Sequence, residues 1–142
     1  MSVSIKNNLY ELVEPSTASA SDATLQVIGK IAVIRFDYFR DGTSYRSGIK
    51  FSGVAATRTH GERCCTVWHI EQCYDVLCEV ENSVWAEETR SQVPDRYRDD
   101  FNARHFMIYL DSAGSFEILA DSFEIAKEEV GTWESAMQSF LT

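Results

Sequence analysis

His105–Ile125 reads HFMIYLDSAGSFEILADSFEI, two apolar runs of period two on either side of Asp111-Ser112-Ala113-Gly114. The four central residues carry turn chemistry, and Gly114 is free to take a positive φ. Phe106, Ile108 and Leu110 fall on one face, continued after the turn by Phe116, Ile118 and Ala120. The opposite face carries His105, Met107 and Tyr109, then Ser115, Glu117, Leu119 and Asp121. This alternation predicts an antiparallel hairpin with one face in the core and the other half-wet.

Upstream of the hairpin the chain alternates between strand and turn signals. Residues 1–23 read as a loosely organised segment, with one amphipathic turn at Leu9, Leu12 and Val13 that Pro15 stops. Ser16–Asp22, STASASD, reads as a small-polar linker. From Thr24 to Arg40 branched and aromatic residues dominate, which suits a pleated, half-buried surface, and Gly29 marks a break or bulge. Asp41-Gly42 is the strongest short hairpin signal, so a partner strand should run from about Thr43 to Phe51 and continue into residues 54–58. Thr66 is placed to cap a short helix, and the alternation from Tyr74 to Val80 favours a further strand. Asn82-Ser83 reads as the cap of a helix from Val84 to about Ser91, which Val93-Pro94 ends. After Gly131, Trp133, Met137, Phe140 and Leu141 form one stripe, the mark of a short C-terminal helix over 131–142. The fold class is therefore α+β: a mostly antiparallel sheet, one helix inserted before the last hairpin, and a single domain over 1–142.

Composition narrows the function classes. A chain of 142 residues buries enough surface to fold without staples. No apolar run approaches the roughly 20 residues of a membrane span, and MSVSIKNNLYELVEP lacks an export core, so a cytoplasmic protein with no membrane partner is expected. Residues 1–60 hold seven Lys/Arg and five Asp/Glu, a net of +2, whereas residues 61–142 hold six and seventeen, a net of −11. An acidic surface of that kind repels phosphate backbones, which sets nucleic acid aside, and it suits either solubility or a basic protein partner.

No phosphate-binding glycine loop, nucleophile elbow or HExxH motif is present. Cys64, Cys65, His69 and Cys73 are zinc-type ligands, but they lack CxxC spacing. A strand over 74–80 would send Cys73 and Cys78 to opposite faces. Free thiols and no metal or other cofactor are the expectation. Paired acids at Glu87-Glu88 and Asp99-Asp100 lie in hydrophilic runs, where solvated faces are the norm. Tyr109 beside Glu117 on a half-wet sheet face has the character of an interface residue.

Ser83-Val84-Trp85, followed by His105-Phe106-x-Ile108-Tyr109-x-Asp111-x-x-Gly114-x-x-Glu117-x-x-Ala120-x-Ser122-x-Glu124, resembles a pattern in small, acidic, β-rich bacterial proteins, some of them immunity-protein-like. The resemblance spans roughly residues 48–125, with Phe123 where the pattern has Trp and the cysteine-rich stretch outside it. It implies no catalytic residues. A non-catalytic protein-binding module follows, immunity-like and neutralising a basic partner, with Tyr109, Glu117, Glu87, Glu88, Asp99 and Asp100 as contact residues. The alternative is a small-molecule-binding protein or enzyme with its site in the Cys/His stretch 60–78.

Overall fold

The computed structural model describes residues 5–19 and 21–133, so the stripe Met137–Leu141 lies outside the described residues. In chain order the strands open with β1 (Ile5–Glu11), β2 (Thr24–Ile28), β3 (Ile31–Arg40), β4 (Thr43–Ser52) and β5 (Ala56–His60). The short helix α1 (Val67–Ile70) precedes β6 (Val76–Glu81), and α2 (Val84–Ser91) and α3 (Asp95–Arg98) precede β7 (Arg104–Leu110). β8 (Gly114–Ala120), β9 (Ser122–Ile125) and β10 (Glu129–Val130) complete the described chain.

These strands form two antiparallel sheets. One has the order β1-β6-β7-β8-β5, and the other β10-β4-β3-β2, with β9 also paired to β4. Expected strands over 31–39, 43–52, 105–110 and 116–120 are present, the one expected over 74–80 runs instead from Val76 to Glu81, and α2 starts where Ser83 caps it, its Oγ accepting the Ala86 N–H at 3.0 Å. Asp41 and Gly42 both take positive φ, the conformation a two-residue hairpin turn demands. Gly29 also turns with positive φ, but as the tip of the β2–β3 hairpin rather than a bulge.

The sheets share one apolar core. Ala32, Ile34 and Phe36 of β3 and Ile49 and Phe51 of β4 meet Phe106, Ile108, Leu110, Phe116 and Ile118 of the central hairpin. The Phe51 and Phe106 rings lie 5.5 Å apart across the two layers. The expected inward face of the hairpin is therefore the inter-sheet face.

Four expectations are corrected. The strands do not lie in the single sheet expected: β2, β3 and β4 belong to one sheet, and β6, β7 and β8 to the other. Within the segment 1–23, residues 5–11 are not loose: Ile5–Glu11 pairs along β6, so the Leu9 region is strand, not an amphipathic turn. Residues 56–60 do not extend β4; past Gly53 the chain crosses to the other sheet and pairs with β8. The second face of the hairpin is not half-wet either. β7 is buried from His105 to Leu110 and β8 along its whole length, because residues 61–75 and α2 roof that face. Trp133 docks on its own sheet, its Nε1 donating to the carbonyls of Phe36 and Ser47 at 3.0 and 2.8 Å.

Candidate functional site

The roofed face of the β1-β6-β7-β8-β5 sheet carries polar side chains in rows set by strand register. Arg58 stands opposite Glu117, which stands opposite Met107, which stands opposite Cys78. One row away lie Leu119, His105 and Val80, and on the other side His60, Ser115 and Tyr109. His105 and Glu117 are thus diagonal neighbours across the hairpin, within reach of long side chains.

Glu117 is wholly inaccessible to solvent and is held by hydrogen bonds. Arg58 grips it as a fork, Nε to Oε2 at 2.7 Å and Nη2 to Oε1 at 2.8 Å. His105 Nε2 lies 2.8 Å from Oε1. Burial alone would push this carboxyl up, but the hydrogen bonds from His105 and Arg58 and the Arg58 charge hold it down at about 2. Glu117 is therefore an ionised, acceptor-only group, and His105 must present an N–H at Nε2. In the neutral imidazole that leaves Nδ1 as an acceptor, and Ser83 Oγ sits 2.7 Å from it. Trp85 packs edge-on against the His105 ring at 5.1 Å, and the Arg58 guanidinium lies over the Trp85 ring at 4.3 Å.

His60 and His69 flank the same carboxylate. His60 Nδ1 is 3.9 Å from Glu117 Oε2, shut off from solvent, and without a hydrogen-bond partner. The His60 and His69 rings lie 4.6 Å apart. His69 serves as the third residue of the α1 capping box, its Nδ1 accepting the Thr66 N–H at 2.9 Å. Burial, helped by the neighbouring His60, pushes the His69 imidazole down, so it is held neutral.

Ligand atoms of His60, His69 and Glu117 lie within 4.8 Å of one another, the one such group among the described residues. The hydrogen bonds argue against a metal there. With Nδ1 accepting from Thr66, the neutral His69 ring carries its proton on Nε2, and neither nitrogen keeps a free lone pair. Arg58 already supplies the cation that Glu117 requires. The cluster is a hydrogen-bonded network around one buried ion pair.

The cysteines do not form the set their sequence spacing offers. Cys64 is exposed, and Cys65 Sγ points at the carbonyls of His60 and Gly61, at 3.5 and 3.4 Å. Cys73 precedes β6 rather than lying within it, so it is not held to the opposite face from Cys78; both thiols are buried in one cluster with Met107 and Tyr109. All four are free.

Tyr109 and Glu117, expected at a wet interface, are both buried, Tyr109 against the Tyr74 ring at 5.5 Å. Neither is available to a partner. The exposed acids are elsewhere. Glu87 and Glu88 lie on α2, where with Glu79 and Glu81 they line an open groove of about 900 Å³ between α2 and the β6–β7 pair. Ser83 and His105 form part of its wall. Arg104 also lines it, but its charge is engaged by Glu79, with Nη2 at 2.7 Å from Oε1. Asp99 and Asp100 are exposed just after α3, away from this groove.

No family model, curated protein or solved structure matches this chain. What it does must be argued from the groove and the network behind it. Sequence reading placed His60 and His69 only in the alternative site over 60–78, and missed Arg58 and Ser83 as members of the same site. The available signal was Arg58 and His60 on a single face of a short strand, two residues apart like Ser115 and Glu117.

Proposed function

We propose that this chain is a stoichiometric binding module whose acidic groove receives a cationic segment of a partner protein. The observation that carries the reading is the groove itself. Four carboxylates line about 900 Å³ of open space; Glu79 and Arg104 neutralise each other, which leaves Glu81, Glu87 and Glu88 to give the groove its negative field. A lysine- or arginine-rich segment would enter a field of one sign, which speeds encounter and fixes register. The resemblance to immunity-like proteins supports a partner whose own active surface is basic. Tyr109 and Glu117 play no part in the contact.

The test uses a fluorescein-labelled oligo-lysine peptide followed by anisotropy. Binding should weaken steeply with added salt, since the screening length shrinks from ~10 Å at 0.1 M to ~3 Å at 1 M. The triple variant E81Q/E87Q/E88Q should bind about tenfold more weakly, given ~0.5 kcal/mol for each exposed charge. Equal binding by wild type and variant would place the charge at the service of solubility alone.

A further inference from the structure

The groove wall contains a chain of hydrogen bonds that binding does not require. Ser83 Oγ contacts His105 Nδ1 at 2.7 Å, and His105 Nε2 contacts Glu117 Oε1 at 2.8 Å. A hydroxyl, an imidazole within hydrogen-bond reach, and a buried carboxylate that fixes the imidazole tautomer are the parts of an activated nucleophile. Here the ring is used in the opposite sense from the common arrangement, with the hydroxyl on Nδ1, and either nitrogen can take a proton. We propose that Ser83, His105 and Glu117 form an acyl-transfer relay that hydrolyses carboxylic esters carrying a positive charge.

The position of Ser83 supports the reading. It is the cap of the eight-residue helix α2 and is half-buried at the groove, whereas His105 and Glu117 behind it are buried. The Ala86 N–H already donates to Ser83 Oγ. The N–H groups of Val84 and Trp85 head the same helix, where the backbone offers no intrahelical acceptor. Such donors, next to the nucleophile and at the positive end of the helix, suit an oxyanion. The glutamates of the groove would hold the cationic part of the ester, so the substrate class rests on the binding reading above, whereas the relay does not.

Each bond change is accounted for by the residues present. Ser83 Oγ bonds to the ester carbonyl carbon while its proton passes to His105 Nδ1. As the carbon–alkoxy bond breaks, the proton on Nδ1 goes to the leaving alcohol, leaving acyl-Ser83. Water then attacks the acyl carbon, Nδ1 takes its proton and returns it to Ser83 Oγ, and the acid departs. Glu117 is a positioning residue. It keeps Nε2 protonated and Nδ1 open, and it touches no substrate.

The experiment treats the full chain with 4-nitrophenyl 4-guanidinobenzoate, a cationic ester, and with 4-nitrophenyl benzoate, its neutral analogue. Wild type should release a burst of about one equivalent of nitrophenolate, with the acyl mass found on the peptide holding Ser83. Ser83→Asn keeps a capping side chain, so it should fold yet give no burst. Glu117→Gln removes the carboxylate charge and sets an NH2 against an Arg58 donor in either orientation, so the ring of His105 loses the charged acceptor that fixes it. Where it folds, as judged by circular dichroism, acylation should fall at least about a hundredfold with the binding of the cationic ester, read as KM, unchanged. A folded wild type without a burst, or a burst that survives in Ser83→Asn, overturns the relay. If the neutral ester reacts as fast as the cationic one, the relay stands and the cationic preference of the groove falls.

Discussion

At the scale of the residue, the molecule is most exacting at Glu117. A carboxylate with no solvent exposure is tolerated only because Arg58 and His105 satisfy it. Its folded pKa of about 2 lies below the unfolded value of roughly 4.3, so the ionised form is favoured by folding. The contribution, about 3 kcal/mol, is fully present above pH ~5 and drains away as pH falls through the folded pKa. Urea titrations between pH 6 and pH 2 should show this acid-side loss in wild type, and Glu117→Gln should lack it. A wild-type stability that is flat over that range would mean that Arg58 and His105 do not hold the charge. Nothing in the sequence marked Glu117 as buried. An acid between Phe116 and Ile118 fits an ordinary wet strand face, and the difference lies in Arg58, 59 positions earlier in the chain, whose pairing no local pattern encodes.

At the scale of the element, the β7–β8 hairpin was legible to within two residues, β7 beginning at Arg104 and β8 at Gly114, which the sequence assigns to the turn; elsewhere alternation and turn chemistry agree. The roof over its outer face was not. Residues 61–75 have mixed composition and only single-turn helices, and their cover over Met107 and Tyr109 depends on tertiary packing. The two faces now make separate predictions. Phe116→Ala, on the inter-sheet face, should cost about 3–5 kcal/mol, and Leu119→Ala, on the roofed face, about 2–5 kcal/mol. Both are read as changes in the urea midpoint at constant slope. A loss below about 1 kcal/mol for Leu119→Ala would return that face to solvent. β5 was misassigned for a related reason: a strand that leaves its neighbour at Gly53 and joins another sheet keeps the same local pattern throughout.

Across the whole molecule, the charge split has a structural counterpart. The +2 half supplies β1 to β5, while the −11 half supplies α2, α3 and the groove. Among the described residues no helix is long and apolar enough to cross a membrane. Glu117 and His69 are held by Arg58, His105 and Thr66, so stability at this scale should not depend on an ion. Added chelator should leave the melting temperature unchanged, and zinc should restore nothing because nothing is lost; a chelator-induced drop reversed by zinc would refute this. The central hairpin also divides two unlike interiors, oil on one side and a buried ion pair with histidines on the other. Strand pairing has a side-chain period of two, so a slip of one residue would turn Glu117 and His105 toward Phe51 and Ile34, and Phe116 and Ile118 toward Arg58. In most sandwiches such a slip merely exposes grease. Here it would strand a charge, so mispaired chains are rejected on both faces at once, and the polar network acts as a proofreader of assembly before it can serve any ligand.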